Sequence, residues 1–214
     1  MGLKGRFLDR TLTVDTSVFN IEWEDIQLQN TSASNLVYLM NGGSARSRGV
    51  EAAVQWAPGG GWVVSANATV TDAELTEDLP TPPTGTALLG KKGTPLPFTP
   101  DFTSNLGVEK SFDLRHGYRL TLGANWSHVG ERNTLLRSGT APVARRGELR
   151  LPAHDVVDLR ANLSNGEWDL TAYIRNLGSE YGLLNVDDRQ GAVATTNATF
   201  IAPRTVGFSL ARSF

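Results

Sequence analysis

The sequence predicts an all-β fold: an antiparallel, up-and-down portion of a transmembrane β-barrel, incomplete, with about nine strands, short turns on one side and long loops on the other. Three observations carry this. Side chains alternate between apolar and polar with period two through each extended run, as a strand with two unlike faces requires. Short and long joints alternate along the whole chain, an arrangement compact soluble domains rarely hold. Large aromatics flank the tight joints on the apolar face. No apolar run approaches the roughly 18 residues of a spanning helix. The slightly negative mean hydropathy therefore counts against a helical membrane protein. It does not count against a barrel, in which the two faces average out.

The elements follow in order. A first strand at residues 2–8 reaches the tight joint Asp9-Arg10 and continues as a long run from Thr11 toward Gln29. After a long joint at 30–44, strands at 45–57 and 62–74 flank Pro58-Gly59-Gly60-Gly61. Val50, Ala52, Val54 and Trp56 alternate with Glu51, Ala53 and Gln55; Trp62, Val64, Ala66, Ala68 and Val70 alternate with Ser65, Asn67, Thr69 and Thr71. A second long joint, 75–100, precedes strands at 101–113 and 118–130 around Leu114-Arg115-His116-Gly117. There Leu120, Leu122, Ala124 and Trp126 oppose Arg119, Thr121, Gly123 and Asn125. A third, 131–152, leads to strands at 153–164 and 167–177. These are joined by Asn165-Gly166, a type I′ hairpin signal that needs positive φ at both residues. Val157, Leu159, Ala161 and Leu163 oppose Asp158, Arg160 and Asn162; Trp168, Leu170, Ala172 and Ile174 oppose Asp169, Thr171 and Arg175. A fourth long joint, 178–203, precedes the last strand, where Val206, Phe208, Leu210, Arg212 and Phe214 share a face. With Phe214 at the inner rim of an outer membrane, all four tight joints fall on the periplasmic side.

Aromatic placement distinguishes lipid from an ordinary core. Trp56, Trp62, Phe112, Tyr118 and Trp168 all flank tight joints, forming one aromatic girdle. Trp126 lies eight residues above Tyr118. At the rise of a strand tilted near 40°, that is roughly 20 Å of height, close to the spacing between two girdles. Lys110 and Arg212 break the apolar face near its periplasmic end, where a long stem snorkels to the headgroups. The competing account is a soluble sandwich whose ends these aromatics close.

Composition excludes other classes. The 214 residues carry a net charge of -2, with no basic surplus for nucleic acid, and no cysteine for disulfides, thiolate catalysis or a Cys-type zinc site. His116, His128 and His154 are scattered, without metalloprotease spacing. Asp72, Glu74, Glu77 and Asp78, and Asp187-Asp188, lack EF-hand spacing and read as loop acids. Lys91-Lys92 offers charge to an anionic ligand or simply solvates its loop. Gly59-Gly60-Gly61 precedes a strand, so it is no phosphate loop. No catalytic set and no cofactor or metal site emerges, and no enzyme activity is expected. On the polar face, Glu109 with Arg119 and Arg160 with Asp169 are placed to pair diagonally across hairpins.

Several segments resemble one family, the TonB-dependent receptors of Gram-negative outer membranes. The stretch from Gly5-Arg6-Phe7-Leu8-Asp9 through Phe19-Asn20-Ile21-Glu22-Trp23-Glu24-Asp25-Ile26-Gln27-Leu28 is similar to a recurring barrel segment of that family. Asn41-Gly42-Gly43-Ser44-Ala45-Arg46-Ser47-Arg48-Gly49-Val50-Glu51 resembles its N-x-G-x-A-x-x-x-G-x-E pattern. Gly93 with Leu96-Pro97-Phe98-Thr99-Pro100 resembles its G-x-x-L-P-x-x-P approach to the next strand, and Leu151-Pro152-Ala153 with Val156-Val157-Asp158-Leu159-Arg160 the strand after that. Asn176-Leu177 and Tyr181 match its N-L-x-D-x-x-Y element, from which Gly178 and Ser179 depart; Pro203-Arg204-Thr205 opens the last strand.

The resemblance implies a 22-stranded barrel with a plugged lumen. This chain offers only its carboxy-terminal part, without plug domain, TonB-engaging segment or signal peptide, and Met1 falls inside a strand. The aromatic ending, with Val206, Phe208, Leu210 and Phe214, resembles the signal read by the barrel assembly machinery. The implied parent imports a scarce nutrient, a ferric siderophore first, a cobalamin or saccharide otherwise. Its partners are TonB through the plug, the small nutrient ligand and outer-membrane lipid. Ligand contacts fall in loops 30–44, 75–100, 131–152 and 178–203, with no residue singled out. The portion alone is expected not to transport. The alternative is a self-contained small outer-membrane barrel, either a passive pore or a membrane-anchored enzyme.

Overall fold

The computed structural model describes residues 1–31, 36–80, 90–134, 150–189 and 195–213, and nine strands in it form one antiparallel sheet. They are β1 (Gly2–Phe7), β2 (Leu12–Trp23), β3 (Ala45–Gly59), β4 (Trp62–Leu75), β5 (Phe102–Asp113), β6 (Arg119–Val129), β7 (His154–Ser164), β8 (Trp168–Arg175) and β9 (Thr205–Arg212). Each pairs with its sequence neighbours, giving a simple meander with β1 at one edge and β9 at the other. The sheet does not close on itself. All four tight joints gather at one end and the long joints at the other, the parity expected from the sequence.

Register converts the period-two pattern into two unlike faces. Phe7, Leu12, Trp56, Val64, Val108, Ala124, Leu159, Ile174 and Val206 line up across all nine strands in one cross-strand row. The adjoining row on the other face runs Arg6, Thr13, Gln55, Ser65, Gly107, Asn125 and Asp158. A one-residue slip of any strand would exchange its two faces, so the continuity of both rows fixes the register.

The apolar face is bare. Val206, Phe208 and Leu210 are 72%, 79% and 61% exposed, and Leu106, Leu122 and Leu170 are also open. Among the described residues the buried apolar side chains are Ile26, Ala45, Ala73, Leu75, Leu79 and Leu151, all at the long-loop end. A soluble sandwich would put its core against the apolar face instead.

Local geometry refines the expected elements. The run expected from Thr11 toward Gln29 stops at Trp23, because Asp25 turns the chain with φ 53° and Ile26 is drawn into the small core. Gln27–Thr31 then pairs with Val37–Asn41 as a separate hairpin inside the first long joint. The third and fourth long joints likewise carry short pairs, Arg132–Asn133 with Arg150–Leu151 and Leu183–Arg189 with Thr195–Phe200. At Asn165-Gly166 positive φ falls on Gly166 alone. Asn165 acts through its side chain: Oδ1 accepts from the N–H groups of Glu167 at 3.1 Å and Trp168 at 2.7 Å. This is an Asx turn in place of the expected type I′ geometry. At Gly61, φ is 80° and a Cβ would sit 2.4 Å from the Ser111 carbonyl oxygen, so only glycine fits.

Candidate functional site

Two regions of the molecule hold groups arranged for recognition. The first is a recess of about 660 Å³ on the polar face of β3 to β9. Arg160 Nη2 donates to Glu109 Oε1 at 2.5 Å, although β6 separates their strands. Gly123 lies between them, opposite both Glu109 and Arg160, and its missing side chain lets the guanidinium reach across. The expected diagonal pairs are not formed. Arg119 bonds the directly opposed Asp113 at 2.8 Å, and Asp169 takes the Asn162 amide at 3.3 Å. Direct opposition beats the diagonal because the tight joint brings Asp113 and Arg119 into register. Tyr173 lies over Gly207, and Arg175 stacks on Tyr173 at 5.0 Å.

The second region is the long-loop end, where the two faces exchange character. Beyond Val18, Val50 and Val70, the formerly apolar side carries Asn20, Glu22, Arg46, Arg48, Asp72 and Glu74. The other side becomes apolar through Phe19, Ile21, Trp23, Ala45, Ala73 and Leu75. Arg48 holds Asp72 with two bonds of 2.9 and 2.7 Å, and Arg46 holds Glu74 at 2.8 Å. Asp72 and Glu74, read from sequence as loop acids, are therefore strand residues in directly opposed ion pairs. Gly49 receives the Phe19 ring, where a Cβ would come within 2.6 Å of it.

The second long joint folds back on this end. Leu75 and Leu96 N–H groups donate to the Thr94 and Ala73 carbonyls, each at 2.9 Å, and Gly93 turns with φ 80°. Leu96 and Leu79 close over Ala45 and Leu75, which gives the G-x-x-L-P segment its physical role. Asp78 ties the joint's two sides together: Oδ2 accepts from Lys91 Nζ at 2.7 Å and Oδ1 from the Lys92 N–H at 2.9 Å. Those bonds, Lys91's side chain foremost, hold the Asp78 carboxyl below its ordinary 3.8. Lys91 thus serves the loop itself, and Glu77 accepts from Ser44. Burial pushes the Arg132 guanidinium below its ordinary value, while its Nη2 donates to the Leu183 carbonyl at 3.2 Å.

Asn176, which sequence reading treated only as part of a motif, fastens the fourth long joint. It is 3% exposed, its N–H donates to Asp158 Oδ1 at 2.8 Å, and Nδ2 donates to the carbonyls of Glu180 and Ala202 at 2.9 and 3.0 Å. Its Oδ1 accepts the Glu180 N–H at 2.8 Å. The three histidines stay apart. His116 lies in a tight joint, His128 meets Asp155 at 3.0 Å on the apolar side, and His154 is buried beneath Gly182. Among the described residues no group of ligating side chains fits a metal.

At the tight-turn end, Trp56, Trp62, Phe112, Tyr118 and Trp168 all sit half-exposed on the apolar face, and Trp126 lies further up β6. Lys110 and Arg212 bend toward the turns. Lys110 Nζ donates to the Gly60 carbonyl at 2.5 Å, and Arg212 pairs with Glu167 while lying 5.0 Å from the Trp168 ring. Val206, Phe208 and Leu210 share the apolar face of β9; Phe214 lies outside the described residues.

A family model described as "TonB dependent receptor-like, beta-barrel" matches residues 1–177. The chain belongs to that family. TonB-dependent receptor barrels are outer-membrane proteins of Gram-negative bacteria. No curated protein matches the chain by sequence. Among solved structures, the chain is similar to FyuA, the ferric yersiniabactin uptake receptor from Yersinia pestis. The TM-score is 0.74 and identity 22%, over 98% of this chain and 28% of that one. It is also similar to BauA, the ferric preacinetobactin receptor from Acinetobacter baumannii (TM-score 0.68, 23% identity, 98% and 28% covered). The copper transporter OprC gives a TM-score of 0.72 at 16% identity, over 100% of this chain and 30% of that one. The chain thus spans less than a third of the length of these structures.

Proposed function

We propose that this chain is the carboxy-terminal part of the barrel of an outer-membrane receptor that imports a scarce nutrient with energy relayed by TonB. The observation that carries the reading is the bare apolar face, one row of which crosses all nine strands with no core beneath it. Hydrocarbon is the solvent that suits such a face, and a charge at its middle would cost about 2–4 kcal/mol. The polar face then looks into the lumen toward a plug supplied by the rest of the receptor. The tight turns are periplasmic, and the long joints form part of the ligand vestibule. Trp56, Trp62, Phe112, Tyr118 and Trp168 make the inner aromatic girdle and Trp126 belongs to the outer one. Val206, Phe208 and Leu210, with Phe214, form the insertion signal for the assembly machinery.

A ferric siderophore is the preferred nutrient, because FyuA is an uptake receptor for ferric yersiniabactin, BauA a receptor for ferric preacinetobactin and PiuA a siderophore receptor. OprC supports a metal ion as the second choice. Spin labels at Leu122 and Thr121 test the location. Leu122 is expected to contact acyl chains and Thr121 water; the reverse would overturn the reading. The nutrient is tested by deleting the gene in an iron-starved strain and measuring radiolabelled ferric-siderophore uptake. A loss is expected, and unchanged uptake of every siderophore tried would exclude iron.

A further inference from the structure

The apolar face is not uniform. A recess of about 830 Å³ crosses it from β4 to β9. Trp62 and Phe112 wall one end and Ile174 and Val206 the other, over a floor of Ala124, Ala161 and Ala172. The floor is low because Ala161 pairs with Ala172, putting two methyl groups side by side where larger residues stand on neighbouring rows. Six strands at about 4.8 Å spacing give the recess a length of about 24 Å, enough to seat a fatty-acyl chain.

One end of this apolar recess carries a charge. Lys110 Nζ lies 4.8 Å from the Trp62 ring centre and 5.3 Å from that of Phe112, and it donates one hydrogen bond to the Gly60 carbonyl. Among the described residues no carboxylate pairs with it. Arg212, the other cation at this rim, is neutralised by Glu167. An ammonium has three donors, so Lys110 keeps capacity for an anion at the mouth of a hydrocarbon groove.

We propose that this recess retains one anionic phospholipid, its phosphate on Lys110 and one acyl chain across the alanine floor. The inference rests on the lipid-facing reading above and goes beyond it. Lipid in general wets the whole face, whereas this site selects a charged headgroup and holds it.

The full chain, extracted from outer membranes in a mild non-ionic detergent, is mixed with dioleoyl phosphatidylglycerol or dioleoyl phosphatidylcholine and examined by native mass spectrometry. The expected result is one retained phosphatidylglycerol per chain, favoured over phosphatidylcholine by roughly tenfold. Lys110→Gln should abolish that preference and Lys110→Arg should keep it. Ala161→Phe, filling the floor, should displace both lipids while circular dichroism still reports the same strand content. Equal retention of the two lipids by the unmodified chain, unchanged preference in Lys110→Gln, or chains that carry no lipid whatever their state of association would each overturn the proposal. The Leu122 spin label separates the two levels. Water contact there defeats the membrane reading, whereas acyl contact with no effect of Lys110→Gln defeats only the lipid site.

Discussion

Asn176 does more for this molecule than its single place in the chain suggests. With φ 52° and three side-chain hydrogen bonds, it ties Glu180 and Ala202 together and so closes the base of the fourth long joint. Asn tolerates the left-handed region better than most residues and supplies both donor and acceptor there. Asn176→Ala removes all three bonds and leaves the part-buried carbonyls of Glu180 and Ala202 without that donor, at a cost of about 1–3 kcal/mol in local stability. Amide exchange at Glu180 should accelerate accordingly, while Asn176→Asp, which keeps the acceptor, should fall between. Unchanged exchange in both variants would show that the joint is held elsewhere. Asp78 gives a pH-dependent counterpart. Its carboxyl is held below 3.8, so the tether to Lys91 and Lys92 contributes fully above 3.8 and is lost as pH falls through the depressed folded-state value. Protection of the Lys92 amide, taken relative to intrinsic exchange at each pH, should be flat from neutral pH down to about 5 and fall in stronger acid. Asp78→Asn should flatten that fall; a transition near neutrality would implicate a different group.

At the scale of single strands, β4 makes the sharpest prediction. Val64, Ala66, Ala68 and Val70 share the apolar face, and Ser65, Asn67, Thr69 and Thr71 the polar one, until Asp72 meets Arg48 and Ala73 is covered by the folded-back joint. A cysteine scan read by a water-soluble thiol reagent should therefore alternate with period two from 64 to 71. It should then invert, with position 72 reactive and 73 protected. Alternation continuing to position 75 would mean that the strand stays within one solvent boundary throughout. The same strand shows why some features were legible in the sequence and others not. Period-two alternation is a local signal, so strand positions, turn parity and faces could be read directly from residues such as Trp62 to Val70. Where a strand leaves one environment for another depends on what covers it. Here Leu79 and Leu96 arrive from a loop, and no pattern within β2 or β4 announces them. The Glu109–Arg160 pair was equally hidden, since it needs two registers and the gap at Gly123, although a glycine between Thr121 and Asn125 was a visible hint.

Over the whole molecule, topology limits what these residues can do by themselves. With an odd count of nine strands in a meander, β1 and β9 run in the same direction. Closing the sheet would require a parallel seam, joining Gly2–Phe7 to Thr205–Arg212. Parallel pairing is slightly weaker per residue, and single-chain bacterial barrels keep an even strand count with antiparallel pairs throughout. Left open, both edges present unpaired backbone groups that cost several kcal/mol each in hydrocarbon. The expected outcome is that the 214-residue chain, reconstituted alone in liposomes, associates through its edges and moves no ferric siderophore. Cysteines at Leu3 and Leu210 report the seam, because both lie on the apolar faces of the edge strands. In a closed nine-stranded barrel, an oxidant should link them within one chain and leave a monomer on a denaturing gel. In the open sheet, crosslinks should form only between chains and their yield should rise with protein concentration. A monomeric crosslink together with siderophore uptake would favour the self-contained small barrel over a portion of a larger receptor.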